Sequence, residues 1–201
     1  ELAEVRERDL GDLMGASEAW MEVLQADPDN AHALAEAERT LRAQGEGDAL
    51  CDLLQSEVTR RPEDVEVALR LAMAHVSLRD DVVGALKVLS DTWHLNPSHE
   101  GVLEALEVQA LSEAAHASGA AEVACDQIRD HFRDHQEWSR VLRVDHTRLA
   151  RAGDSEERAA LHLAIARVHG DALGEAVIGQ AQSPLKLLPN VVGVLPMLPQ
   201  R

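Results

Sequence analysis

Apolar residues return every three or four positions through most of this chain, in runs of about 14 residues separated by short polar breaks. Such runs bury one stripe of a helix and leave the opposite stripe in water. The spacing predicts helices over 1–9, 13–26, 30–43, 48–60, 64–79, 82–95, 99–115, 119–134, 137–151, 155–169 and 173–182. Capping residues support several of the starts. Asp29-Asn30 follows a helix stop, Ser98 precedes Glu100-Gly101, and Asp154-Ser155 precedes two glutamates in a first turn. Gly45, Gly47, Gly119, Gly153 and Gly170 fall at predicted breaks. The pattern fails after residue 182. Pro184 and Pro196 would sit inside helices, at about 3 kcal/mol each, so 183–201 is expected to be an extended or disordered tail.

The pattern also repeats. "ALRLAMAHV" at 68–76 returns as "ALHLAIARV" at 160–168 with six of nine letters kept. Pro28, Pro62 and Pro97 follow one another at 34 and 35 residues, each closing one amphipathic run before the next. A period near 34 that holds two helices marks the tetratricopeptide repeat. Ala16 falls at that family's small position and Trp20 at its aromatic one, with Gly11-Asp12 at the turn. Leu34 and Ala37, then Leu69 and Ala72, take the packing positions of first helices, and Ala85 takes the small position of a second helix. Longer offsets of 69 and 92 residues lie on top, and the surplus of 23 places an extra helix near 119–134.

Residues 1–182 therefore resemble degenerate tetratricopeptide modules of large bacterial proteins, with most aromatics replaced by Leu or Val. The resemblance implies an all-α, right-handed α-solenoid of helical hairpins and a protein-interaction role. The Lys-and-Asn clamp of the chaperone-binding members is not matched, so chaperone-tail binding is not implied.

Composition sharpens this picture. With no Tyr, one Phe and three Trp among 201 residues, the core must be built from Ala, Leu and Val. The net charge of −17 argues against a nucleic-acid partner, because phosphate binding rests on Lys and Arg displacing counterions. Lys87 and Lys186 are the two lysines; the other basic residues are arginines. Cys51 and Cys125 lie far apart without a CxxC, and read as small buried hydrophobes in a reducing compartment. No apolar run is long enough to span a bilayer. The expectation is a cytoplasmic segment of a longer protein.

Candidate chemistry is sparse. His131 and His135 stand at i and i+4 in "HFRDH", a spacing that can share a metal, but no third ligand follows at a motif distance. Solvated histidines are expected there. The motifs GxSxG, SxxK and GxxxxGK[ST] are absent, so neither an enzyme nor a cofactor is expected.

The informative feature is a stripe. First helices of tetratricopeptide hairpins line a concave face, and the proline register puts Arg8, Ala35, Arg39 and Arg42 on it, followed by Arg70, Ala74 and Ser77. The later copy adds His162 and His169. Arg39, Arg42, Arg70, Ser77 and His162 are thus the candidate groove for an acidic peptide or a terminal carboxylate. The bland alternative is a solvated face, with Glu36 and Glu38 neutralising Arg39. A structural spacer and a regulatory domain of a multidomain enzyme are the other readings.

Overall fold

The computed structural model describes residues 5–6 and 12–182, and every element among the described residues is a helix. We number them α1 (Leu13–Ala26), α2 (Ala31–Gln44), α3 (Gly47–Arg60), α4 (Val65–Arg79), α5 (Val82–Leu95), α6 (Glu100–Ala110), α7 (Glu113–Ala117), α8 (Ala121–Asp134), α9 (Trp138–Arg151) and α10 (Ser155–Gln182). The expected tail at 183–201, Arg8, and all of the expected 1–9 helix except 5–6 lie outside the described residues.

The chain divides into two compact units, Glu1–His131 and Phe132–Arg201. In the first, each helix from α1 to α7 packs against its sequence neighbour, while α4 also meets α6 and α5 meets α7. Neighbour-on-neighbour packing of hairpins is the arrangement of a tetratricopeptide-like array. One continuous core joins α1 to α4 through Trp20, Leu24, Leu34, Leu41, Leu50, Leu54 and Leu71. Alanines at Ala16, Ala33, Ala37, Ala74 and Ala85 are fully buried at the seams, where a small side chain lets two backbones approach. α8 joins this unit through a Ser90–Gln127 hydrogen bond of 2.9 Å and a Cys125 Sγ–Ala110 carbonyl contact of 3.6 Å. In the second unit α9 pairs with α10, burying Val141 and Val144 on one helix and Leu161, Ile165 and Val168 on the other.

The caps set the boundaries. Side chains of Asp12, Asn30, Asp64 and Asp81 each accept from a backbone N–H three residues on, starting α1, α2, α4 and α5. Gly45 ends α2 at φ +76°, a left-handed conformation that glycine adopts without penalty.

Three boundaries depart from expectation. The helix predicted over 99–115 is split in two, because the Ser112 hydroxyl accepts from the Ala115 N–H and opens a new helix at Glu113. Its start is capped by His99, whose Nδ1 faces the Val102 N–H at 3.3 Å, and Ser98 lies outside the cap. The break predicted at Gly170 does not occur, since α10 runs unbroken from 155 to 182. Each of the interior glycines Gly170, Gly174 and Gly179 costs only about 1 kcal/mol relative to alanine, and the alanines and leucines around them outweigh that cost.

Candidate functional site

The candidate stripe lies on α2 and α4, first helices of adjacent hairpins. α2 buries Ala33, Leu34, Ala37 and Leu41, which leaves Ala35, Arg39 and Arg42 exposed on its other side. α4 buries Val67, Ala68, Leu71, Ala72 and Ala74. Ala74 is therefore part of the core joining α1 to α4 and does not line an open face, contrary to the proline register. Met73 stands out in its place. The caps give the correct alignment. Asn30, Asp64 and His99 head α2, α4 and α6, so Arg39, Met73 and Val108 hold the same position on three successive first helices, and all three are exposed.

Glu38 organises the arginines. Its side chain is only 9% exposed and accepts from Arg42 Nη2 at 3.0 Å and Arg70 Nη1 at 2.7 Å. Arg42 approaches along its own helix and Arg70 crosses from α4. The two guanidiniums keep 48% and 37% of their side-chain surface open. A guanidinium carries five N–H donors, so one bond to Glu38 anchors each fork and leaves donors to spare on a side chain that is partly open to solvent. Arg39 pairs along α2 with Glu36, through Nη2 at 2.8 Å and Nε at 3.1 Å. Ser77 donates its hydroxyl to the Met73 carbonyl at 2.7 Å. His162 is exposed on α10 in the second compact unit, as is His169.

Of the five candidate residues, then, Arg42 and Arg70 converge through a shared carboxylate, while Arg39 and Ser77 bond within their own helices. The residue missed by sequence reasoning is Glu38, treated there only as a neighbour neutralising Arg39. Its signal was present: Arg42 follows one turn later on the same helix, and Arg70 stands 32 residues on.

A second buried carboxylate, Glu57, ends α3. It accepts from Arg60 and Arg61, both at 2.6 Å, and Arg60 also reaches Asp29 and the Pro28 carbonyl. Burial alone would raise the Glu57 pKa, but hydrogen bonds from Arg61 and Arg60 outweigh it and hold the carboxyl below its ordinary range. Burial pushes the Cys51 thiol up against the opposing pull of Arg79. Neither Cys51 nor Cys125 is in a disulfide, and both are buried.

Among the described residues no three His, Cys, Asp or Glu side chains gather as a metal site. His131 is half-buried with its ring edge-on to Trp93 at 5.2 Å, a packing role in place of the solvated one expected; His135 is exposed. Among the described residues no helix is long and apolar enough to cross a membrane.

The fold defines an all-α array of tetratricopeptide-like hairpins. No family model matches the chain, and no curated protein does. Among solved structures it is similar to two of the protein MamA. One is 18% identical with a TM-score of 0.47, covering 88% of this chain and 98% of that one. The other is 21% identical with a TM-score of 0.46, covering 94% of each.

Proposed function

We propose that this chain is a non-catalytic protein-interaction segment that receives an acidic peptide or terminal carboxylate on the face formed by its first helices. The observation that carries this reading is the convergence of Arg42 and Arg70 on Glu38. A nearly buried acid holding two half-open guanidiniums, from two different hairpins, preorganises donors that an incoming carboxylate can use. Preorganisation lowers the ordering cost of binding, which is what separates a site from a pair of loose surface arginines. Arg39 extends the charge along α2, while Met73 and Val108 supply exposed apolar surface at the same level on α4 and α6. Ser77, on α4, completes the candidate set within the first unit; His162, in the second unit, is a separate candidate. The partner is a protein or peptide; a net charge of −17 disfavours nucleic acid. Two unbridged buried cysteines are in keeping with a reducing compartment such as the cytoplasm.

Binding of a fluorescent Glu-rich peptide, followed by anisotropy, tests the assignment. Replacing Arg39 and Arg70 with Gln should weaken binding about tenfold or more, the scale of losing one or two charge-assisted hydrogen bonds, with the helical circular dichroism retained. Unchanged affinity in the folded variant means the face is not the site.

A further inference from the structure

A cavity of about 400 Å³ lies between α3 and α5, the second helices of neighbouring hairpins. That volume is within the lower part of the range for small-molecule sites. α5 forms one wall with a single stripe, Gly84, Lys87, Val88, Asp91 and Leu95, and α3 faces it with Gln55 and Val58. His75 of α4 also lines it, and its Nδ1 lies 2.9 Å from Asp81 Oδ2. The Gly84 N–H, together with His75 and against burial, keeps Asp81 ionised, so Asp81 is an acceptor and Nδ1 carries the proton. This contact fixes the orientation of the ring at the cavity wall.

Two features of the lining bear on what it takes. Lys87 and Asp91 are opposite charges one helical turn apart, yet they form no ion pair with each other, and no hydrogen bond engages the side chain of either of them or of Gln55. Beside them Val58, Val88 and Leu95 are apolar, and Leu95 is exposed. A separated cation and anion flanked by aliphatic surface complement a ligand with both charges and a short alkyl chain. Gly84 is part of the design. A Cβ there would come within 2.5 Å of His75 Nδ1 and 2.3 Å of Asp81 Oδ2, so any larger residue forces the Asp81 carboxylate and the His75 ring in the cavity wall to shift.

We propose that this cavity binds a small aliphatic α-amino acid, its carboxylate on Lys87, its ammonium on Asp91 and its side chain against Val58, Val88 and Leu95. The site is independent of the acidic-peptide face, since it draws on none of Arg39, Arg42 or Arg70.

Titration of the full chain with L-leucine, read by two-dimensional amide NMR, tests it. Saturable shifts should centre on Gly84, Lys87 and Val88. N-acetyl-L-leucine, which lacks the ammonium, and L-leucinamide, which lacks the carboxylate, should each bind about tenfold more weakly, the equivalent of one lost charge contact. Lys87→Met should erase the preference for leucine over leucinamide without altering the rest of the spectrum, because Lys87 is exposed. Gly84→Ala should abolish the shifts. Absence of saturable shifts at millimolar leucine, or equal binding of the three compounds, overturns the proposal.

Discussion

Glu57 shows how single carboxylates brace this acidic chain. It is nearly buried at the end of α3, bonded to Arg60 and Arg61, with its pKa held below the ordinary carboxylate range. A carboxyl whose pKa is depressed by folding contributes stability above its unfolded value, near 4.3, and loses it as pH falls through the lower folded value. Glu57→Gln should therefore cost about 1–3 kcal/mol at neutral pH, as for hydrogen bonds to charged groups. The difference from wild type should shrink as urea denaturation is repeated at pH 5, 4 and 3. A deficit that is constant across that range removes the electrostatic account. At this scale the sequence was partly legible. Arginines were readable as a stripe, but Glu38 and Glu57 were two acids among 36, and what marks them is burial together with a pair of arginines each, Arg42 and Arg70 on one and Arg60 and Arg61 on the other.

Among the elements, the twice-written line is the instructive case. "ALRLAMAHV" in α4 and "ALHLAIARV" in α10 share six letters but not a buried face. Leu71 is 0% exposed while its counterpart Leu163 is 53% exposed; Met73 is 65% exposed while Ile165 is 8%. α4 packs against α3, α5 and α6, so most of its circumference is covered. α10 meets α9 on one side, and a single stripe through Leu161, Ile165 and Val168 suffices. Truncation should follow burial. Leu71→Ala is expected to cost about 2–5 kcal/mol and Leu163→Ala about 0.5 kcal/mol or less, measured by chemical denaturation. Equal costs would mean that the two copies share a structural role after all. Helix positions were legible to within one or two residues for α1 to α5, because apolar spacing agrees there with a capping Asp or Asn at α1, α2, α4 and α5 and with the Gly45 stop before α3. They were less legible at Ser112, whose backbone-bonding hydroxyl breaks a run of good helix formers, and at Gly170, where one glycine does not.

At the scale of the molecule, charge and architecture are distributed unevenly. Residues 1–131 hold 28 acidic and 10 basic side chains, whereas 132–201 hold 8 and 9, so the excess negative charge belongs wholly to the first unit. Arg39, Arg42 and Arg70 are three of those 10, gathered on the first helices of two adjacent hairpins. If the proposed face is the site, the acidic surroundings of these arginines would repel an acidic partner everywhere except where it reaches the guanidiniums, which favours selectivity over strength. The repeat period made the hairpin order readable in advance. Which first-helix residues meet across hairpins was not readable, since a register built on prolines placed Ala74 outward when the caps place Met73 there. The account rests on α2 and α4 lying side by side with Glu38 opposite Arg70. A double-mutant cycle on Glu38→Ala and Arg70→Ala, read by equilibrium unfolding, measures that juxtaposition directly. We predict a favourable coupling of about 1 kcal/mol, reduced from a fully buried pair because Arg70 is partly solvated. Strict additivity of the two substitutions would contradict the placement, and the proposed binding face with it.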